Sequence, residues 1–142
     1  MKLEGDYADR VTAIVRAGIP VMGHVGFTPQ SVNKFGGFKV QGRGEEERIA
    51  LFNTTKGLAA AGCYAIVLEL VPEDIAEEIT KSTEVVTIGI GAGPKCSGQI
   101  QVMHDVLGYR EKPLRHARPF GEAHRWMPEA IQSYVTWVRE TK

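Results

Sequence analysis

Residues 18–43 read GIPVMGHVGFTPQSVNKFGGFKVQGR, and this stretch decides how the rest of the chain is understood. Its first part is apolar and partly β-branched, which predicts a strand from Ile19 to Val25. A long segment with neither a helical nor an alternating pattern follows, and such loops in compact domains are usually functional. It is rich in glycine, amide, hydroxyl and basic residues, including Gly26, Thr28, Gln30, Ser31, Asn33, Lys34, Gly36, Gly37, Lys39, Gln41 and Arg43. We therefore expect the segment to approach a ligand closely.

Strands and helices alternate on both sides of this stretch. The patterns predict helices over 6–17, 45–61, 72–81, 97–107 and 127–140, and strands over 64–70 and 84–90, after the end of a strand at 1–5. In the helix at 45–61 we expect Ile49, Phe52 and Leu58 to be buried. Strict alternation indicates a parallel α/β architecture. The pattern alone leaves two folds open, a doubly wound sheet and a (β/α)8 barrel, of which a 142-residue chain would supply roughly half.

Composition restricts the class of protein. The chain has 142 residues, so we predict that 1–142 belongs to a single domain. Its 17 basic and 17 acidic residues balance, which gives no reason to expect binding to nucleic acid or to an anionic membrane surface. No apolar run approaches the ~20 residues of a membrane span. Cys63 and Cys96 have no metal-binding spacing, which favours reduced thiols in a cytoplasmic protein.

Polar or glycine residues end each predicted strand, where the active sites of barrels lie. Lys2 and Glu4 end the first strand, His24 ends the second, and Glu69 ends the apolar run AIVLE. Burying a carboxylate is costly unless it is paired, so Glu69 is either a functional base or a side chain that simply reaches solvent. His24 either packs in the core or lines a site.

The run GIGAG at 89–93 ends the next strand. Its glycine spacing differs from the GxGxxG fingerprint of dinucleotide-binding proteins, which argues against that class. We expect these glycines instead to admit a ligand close to the strand end.

Four stretches together resemble the ketopantoate hydroxymethyltransferase family: GHVGFTPQSVNKFGGFKVQGR at 23–43, AIVLELVP at 65–72, TIGIGAGP at 87–94 and GQIQVMHDVLG at 98–108. The resemblance covers essentially the whole chain, which is similar to the C-terminal part of a longer enzyme. It implies a (β/α)8 TIM barrel of the phosphoenolpyruvate mutase type and so favours the barrel over the doubly wound sheet.

The resemblance also implies a reaction and a set of residues. Family members transfer a hydroxymethyl group from 5,10-methylenetetrahydrofolate to 3-methyl-2-oxobutanoate, giving 2-dehydropantoate for pantothenate synthesis. They use Mg²⁺ as cofactor and assemble into homo-oligomers. Glu69 matches the proton acceptor in a LeuGluXaaValPro motif. Lys2 and Glu4 match the substrate-binding lysine and the magnesium-site glutamate. His24 matches a GlyHis pair, and we expect it to line the substrate site.

The family's two metal-binding aspartates and a substrate-contacting serine precede the matched region. We therefore expect the 142-residue chain to be inactive alone, or to need an N-terminal half-barrel as partner. Two alternatives are a catalytically dead half-barrel that acts in binding or assembly, and another enolate-forming enzyme of the same barrel superfamily.

Overall fold

A computed structural model describes residues 1–35, 40–42 and 44–141. Five residues of the long segment lie outside the described part: Gly36, Gly37, Phe38, Lys39 and Arg43. The strands are β1 (Lys2–Glu4), β2 (Met22–Gly26), β3 (Ala65–Glu69), β4 (Val86–Ile90) and β5 (Gly98–Gln99). The helices are α1 (Ala8–Arg16), α2 (Val32–Phe35), α3 (Glu45–Ala60), α4 (Glu73–Ser82), α5 (Met103–Val106) and α6 (Ala123–Glu140).

The described strands form one parallel sheet in the order β1-β2-β3-β4-β5. A doubly wound sheet reverses its strand order at a switch point, whereas a barrel adds strands consecutively. The consecutive order therefore distinguishes the two folds that the pattern left open. It confirms the α/β prediction of the barrel type, of which this chain contributes five strands.

The helices α3 and α4 cover the same face of the sheet. A Cβ added at Gly23 of β2 would lie 3.2 Å from Leu58 of α3, and Thr80 of α4 lies 2.8 Å from Thr87 of β4, Oγ1 to Oγ1. Alternate residues of a strand share a face, so the helix-covered face also carries the buried residues Val25, Ile66 and Leu68. Lys2, Glu4, His24 and Glu69 fall on the opposite face.

Helix α3 begins with Glu45, Glu46 and Glu47, whose charges suit the positive end of the helix dipole. Its buried residues are Leu51, Thr55 and Leu58. The expectation for Leu58 is confirmed, but Ile49 is 51% exposed. Thr55 lies on the buried face because its hydroxyl donates to the Leu51 carbonyl at 2.8 Å, which satisfies the polar group inside the helix.

The segment after β2 was predicted to lack regular structure, and that prediction is wrong for its first part. A 3₁₀ turn, Pro29–Ser31, leads directly into α2. Pro29 provides a preset φ at the start of the turn, and the Ser31 N–H donates to the Thr28 carbonyl at 2.8 Å. Phe27 and Thr28 are buried, which anchors the turn to the sheet.

The prediction of a helix over 97–107 is also wrong for its first half. Gly98 and Gln99 pair with Ile88 and Gly89 as β5, and the Ile100 N–H continues the ladder to the Gly89 carbonyl at 3.0 Å. A two-residue strand has no alternation to detect, whereas the apolar residues after it imitate a helical stripe. Met103 in that stripe is 63% exposed.

The chain divides into two compact units, Met1–Ile100 and Gln101–Lys142. The prediction that 1–142 is a single domain remains a prediction. The second unit is closed by two contacts: the Arg118 N–H donates to Gln101 Oε1 at 2.6 Å, and the Phe120 N–H donates to the Val106 carbonyl at 2.8 Å. Helix α6 starts four residues before its predicted position and contains Pro128. None of the helices in the described part of the chain is long and apolar enough to cross a membrane.

Candidate active site

The four polar residues predicted at strand ends lie together on one face of the sheet, but only Glu4 and Glu69 end their strands. The prediction is wrong for the other two, because Lys2 opens β1 and His24 is the middle residue of β2. The strand register places Glu4 beside His24 and Gly26 beside Glu69. His24 is 1% exposed and stands between the other three. The Glu4 and Glu69 side chains are 9% and 13% exposed, while that of Lys2 is 45% exposed. We call Lys2, Glu4, His24 and Glu69 the strand-end cluster.

One side of the His24 ring faces Lys2 and Glu4. Lys2 Nζ lies 3.0 Å from His24 Nδ1 and 3.3 Å from Glu4 Oε1. His24 Nδ1 and Glu4 Oε1 are 3.5 Å apart. The ammonium group therefore bridges an imidazole nitrogen and a carboxylate, which lowers the cost of burying Glu4.

The other side of the ring faces Glu69. His24 Nε2 lies 3.1 Å from Glu69 Oε2. This short distance does not meet hydrogen-bond geometry, and Nε2 has no hydrogen-bond partner among the described residues. A buried polar atom without a partner is uncommon and points to a function or a ligand. Catalytic hydrogen bonds are often poorly aligned without substrate.

The backbone around Glu69 is tightly constrained. The Phe27 N–H donates to the Glu69 carbonyl at 2.8 Å, and the Leu70 N–H donates to the Ile90 carbonyl at 2.9 Å. Leu70 has a φ of 50°, a left-handed conformation that is unfavourable for a leucine. Gly26 has a φ of 86° and approaches so closely that a Cβ there would lie 2.3 Å from the Glu69 carbonyl oxygen. Strain of this kind often accompanies functional sites.

The start of the 3₁₀ turn fixes the second oxygen of Glu4. The Gln30 N–H donates to Glu4 Oε2 at 3.1 Å. Glu4 thus links β1 to the conspicuous segment after β2. Sequence reasoning identified both elements but did not predict this contact, because a backbone N–H leaves no trace in the residue pattern.

A cavity of about 510 Å³ opens at the carboxyl ends of β1 and β2, between these strands and α3. Its lining includes Tyr7, Thr28, Ser31 and Thr54. Glu4 is the member of the strand-end cluster that reaches it. The cavity therefore adjoins the cluster but does not contain the Glu69 carboxylate.

The glycines of the run 89–93 do not open space for a ligand in the way we expected. A Cβ at Gly89 would meet Cys96 Sγ at 3.0 Å and the Gln99 side chain at 3.2 Å. A Cβ at Gly93 would meet Cγ of Glu73 at 2.4 Å. Side chains of this chain already fill the space, so the expectation is wrong for these two positions.

The two cysteines are free thiols. Burial raises the pKa of the Cys63 thiol above its ordinary value, and a backbone contact with Gly23 partly opposes the shift. Burial likewise raises the pKa of Cys96, and hydrogen bonds with Thr80 and Thr87 partly oppose this shift. Nucleophilic cysteines need the reverse shift, so neither thiol has the environment of a catalytic nucleophile.

The strand-end cluster does not by itself suit a magnesium ion. Within residues 1–35, 40–42 and 44–141, no three His, Cys, Asp or Glu side chains group so as to hold a metal ion. Glu4 offers one carboxylate, and its oxygens contact Lys2 and the Gln30 N–H. Mg²⁺ requires near-octahedral oxygen ligation. The described residues therefore do not form a magnesium site by themselves.

A cation, two carboxylates and an imidazole meet on one face of consecutive parallel strands, and the carboxylates lie at the carboxyl ends of β1 and β3, where α/β-barrel enzymes build their active sites. The comparisons with known proteins then specify the enzyme family. The family model for ketopantoate hydroxymethyltransferase matches residues 1–142. The chain belongs to the ketopantoate hydroxymethyltransferase family.

Relatives from distant organisms agree. The chain is 45% identical over 142 residues to a protein of Pyrobaculum islandicum named 3-methyl-2-oxobutanoate hydroxymethyltransferase, covering 99% of this chain and 54% of that protein. It is 45% identical to a protein of the same name from Geobacter metallireducens, covering 99% and 54% respectively. A third, from Anaeromyxobacter sp., is 45% identical, with coverage of 98% and 46%. The chain thus spans about half the length of the curated relatives it matches.

Proposed function

We propose that this chain carries the general base and part of the substrate site of a hydroxymethyltransferase. The protein would transfer a hydroxymethyl group from 5,10-methylenetetrahydrofolate to 3-methyl-2-oxobutanoate, giving 2-dehydropantoate for pantothenate biosynthesis. The observation that carries the proposal is the strand-end cluster, in which a lysine and Glu69 flank one buried histidine in a chain of this family.

Each residue has a chemical reason for its proposed role. Removing the C3 proton of a 2-oxo acid builds negative charge on the keto oxygen, and a nearby cation stabilises the enolate that forms. Lys2 has three N–H donors, two of which meet His24 and Glu4. The third has no partner among the described residues and would donate to an oxygen of the substrate. Glu69 would accept the C3 proton, and His24 would line the substrate site beside Glu69, 3.1 Å from its carboxylate.

Several parts of the proposal rest on the family alone. These are the folate co-substrate, Mg²⁺ and assembly into a homo-oligomer. A cytoplasmic location rests instead on the two free cysteines. Bound Mg²⁺ would polarise the 2-oxo acid, and Glu4 would contribute one ligand. The described residues do not complete a magnesium site.

Exchange of the C3 proton of 3-methyl-2-oxobutanoate for deuterium, followed by NMR, tests the proposal without the folate. The assay uses the chain alone and the chain mixed with the part of the Pyrobaculum islandicum relative that it does not match. We expect little exchange by the chain alone and Mg²⁺-dependent exchange by the mixture. In the mixture Glu69→Gln should lower the rate at least ~10²-fold, as is typical when a general base is removed.

Glu84→Gln is the matched control, because Glu84 is exposed and precedes β4. It should leave the rate unchanged. Equal rates for the Glu69→Gln and Glu84→Gln variants would show that Glu69 is not the base that accepts the C3 proton. A mixture that binds the oxo acid but never exchanges its proton would favour a catalytically dead half-barrel.

A further inference from the structure

The orientation of the His24 ring between Lys2 and Glu69 determines which of its nitrogens carries the proton. Lys2 is a donor with no acceptor capacity, and its Nζ lies 3.0 Å from His24 Nδ1. Nδ1 must therefore accept this bond. In an imidazole that accepts at one nitrogen, the proton sits on the other nitrogen.

That other nitrogen is Nε2, which lies 3.1 Å from Glu69 Oε2 and has no hydrogen-bond partner among the described residues. An N–H at this place lies next to a carboxylate oxygen that can accept it once the two groups align, whereas a bare nitrogen would face that oxygen lone pair to lone pair. Glu4 does not alter this conclusion, because its Oε1 is 3.5 Å from Nδ1, farther than the lysine nitrogen.

We propose that Lys2 fixes His24 in the Nε2–H tautomer, and that this N–H positions the Glu69 carboxylate for proton abstraction. His24 is then a positioning residue, and Lys2 acts on the base through it as well as on the substrate. The part of this inference that concerns Glu69 rests on the function proposed above. The part that concerns the tautomer does not.

Burial explains why the arrangement can hold. His24 is 1% exposed, so solvent does not compete for either ring nitrogen. Its strand, β2, is paired on both sides, by β1 and by β3. The two carboxylates and the lysine come from those neighbouring strands, so the sheet itself holds all four groups in register.

The tautomer can be read directly from a long-range ¹H–¹⁵N NMR spectrum of the 142-residue chain labelled in its four histidines. The His24 signals are assigned by their loss in a His24→Gln variant. We expect one protonated nitrogen, Nε2, and one unprotonated nitrogen, Nδ1. Lys2→Met should convert this pattern to a mixture of tautomers, while Lys56→Met, at an exposed position of α3, should leave it unchanged.

A predominant Nδ1–H form, protonation of both nitrogens, or an unchanged pattern in Lys2→Met would each overturn the inference. This readout does not require activity. If His24 shows the expected tautomer but the mixture fails to exchange the C3 proton, the proposed function is refuted and the tautomer assignment stands.

Positioning of Glu69 is tested by two substitutions that each keep one of the two ring contacts. A glutamine amide reaches about as far as Nε2, whereas an asparagine amide reaches about as far as Nδ1. We expect His24→Gln to keep the Glu69 carboxyl ¹³C shift near that of the wild type, and His24→Asn to change it. In the active mixture His24→Asn should lower exchange by about 10²-fold, the typical cost of misplacing a reacting group by 1 Å, with substantial rescue in His24→Gln.

If both variants match the wild type in carboxyl shift and in rate, His24 does not position Glu69. Should either variant fail to fold, Lys2→Met carries the test, since the Lys2 side chain is 45% exposed and its replacement disturbs no core packing. An unchanged Glu69 carboxyl shift in Lys2→Met would then count against the proposal.

Discussion

Gly26 is the position where a single methyl group should disturb the proposed base most. A Cβ there would lie 2.3 Å from the Glu69 carbonyl oxygen and 2.7 Å from Val71 Cγ2. Reaching ordinary van der Waals separation requires the strands to move apart by about 1 Å. That movement breaks the hydrogen bond from the Phe27 N–H to the Glu69 carbonyl.

The energetic cost of Gly26→Ala follows from two terms. The φ of 86° is left-handed and costs a non-glycine residue about 1–2 kcal/mol. Loss of the hydrogen bond adds about 1 kcal/mol. We therefore expect unfolding in urea to show a loss of about 2–3 kcal/mol, and C3 exchange in the mixture to fall by about 10²-fold.

Gly57→Ala is the matched control. Gly57 lies inside α3, and a Cβ there would meet nothing closer than the Ala8 Cβ at 3.9 Å. Alanine in a helix interior should raise the free energy of unfolding by about 0.5–1 kcal/mol. If Gly26→Ala is as stable as the wild type, the close approach of β2 to Glu69 is not what constrains this strand end.

Three further predictions concern stability. Thr87→Val should lower the free energy of unfolding in urea by about 1–3 kcal/mol, because Thr87 is fully buried and its hydroxyl contacts those of Thr80 and Ser97. The control Ser133→Ala, at an exposed position of α6, should change it by no more than about 0.5 kcal/mol. Equal effects of the two substitutions would show that the buried hydroxyl network does not stabilise the fold. Burial holds the pKa of Cys63 above 9.0, so the thiol of the unfolded chain ionises first as pH rises. The free energy of unfolding of the wild type should therefore fall above that pH, and that of Cys63→Ala should fall less. Parallel curves of the free energy of unfolding against pH for the two proteins would contradict this. The hydrogen bond from Lys81 holds the pKa of Glu77 below 4.5. The small stabilisation from this pair is therefore present above that pH and is lost as pH falls. In Lys81→Met the urea midpoint should fall less on acidification than in the wild type, and an unchanged pH dependence would contradict this.

Most of the fold was predictable because its elements have strong local patterns. The strand predicted over 64–70 is confirmed as β3, Ala65–Glu69. Ile75 and Ile79 of α4 are buried, as helical spacing requires. The two-residue strand β5 was not predictable, because its pairing with β4 is made by backbone groups of Gly98 and Gln99. Ile49 and the exposed apolar residues near Met103 show the same limit, since periodicity does not reveal what covers a face.

The residues of the candidate site were predictable only in part. The places of Glu4 and Glu69 at strand ends follow from the alternation of strands and helices, whereas Lys2 opens β1 and His24 lies in the middle of β2. Parallel pairing brings the four residues to one face. Their contacts could not be derived from the sequence. The 3.0 Å approach of Lys2 to His24, the bond from the Gln30 N–H and the left-handed Leu70 depend on register and backbone geometry. The roles of these four residues stay predictions.

Binding of the oxo acid to the strand-end cluster is the central claim, and an NMR titration tests it most directly. The labelled 142-residue chain is titrated with 3-methyl-2-oxobutanoate, alone and mixed with the unmatched part of the relative. In the mixture, we predict saturable shifts at Lys2, His24 and Glu69 that Lys2→Met abolishes. Shifts confined to the neighbouring cavity, at Tyr7 and Thr54, with none at His24 or Glu69, would contradict the account.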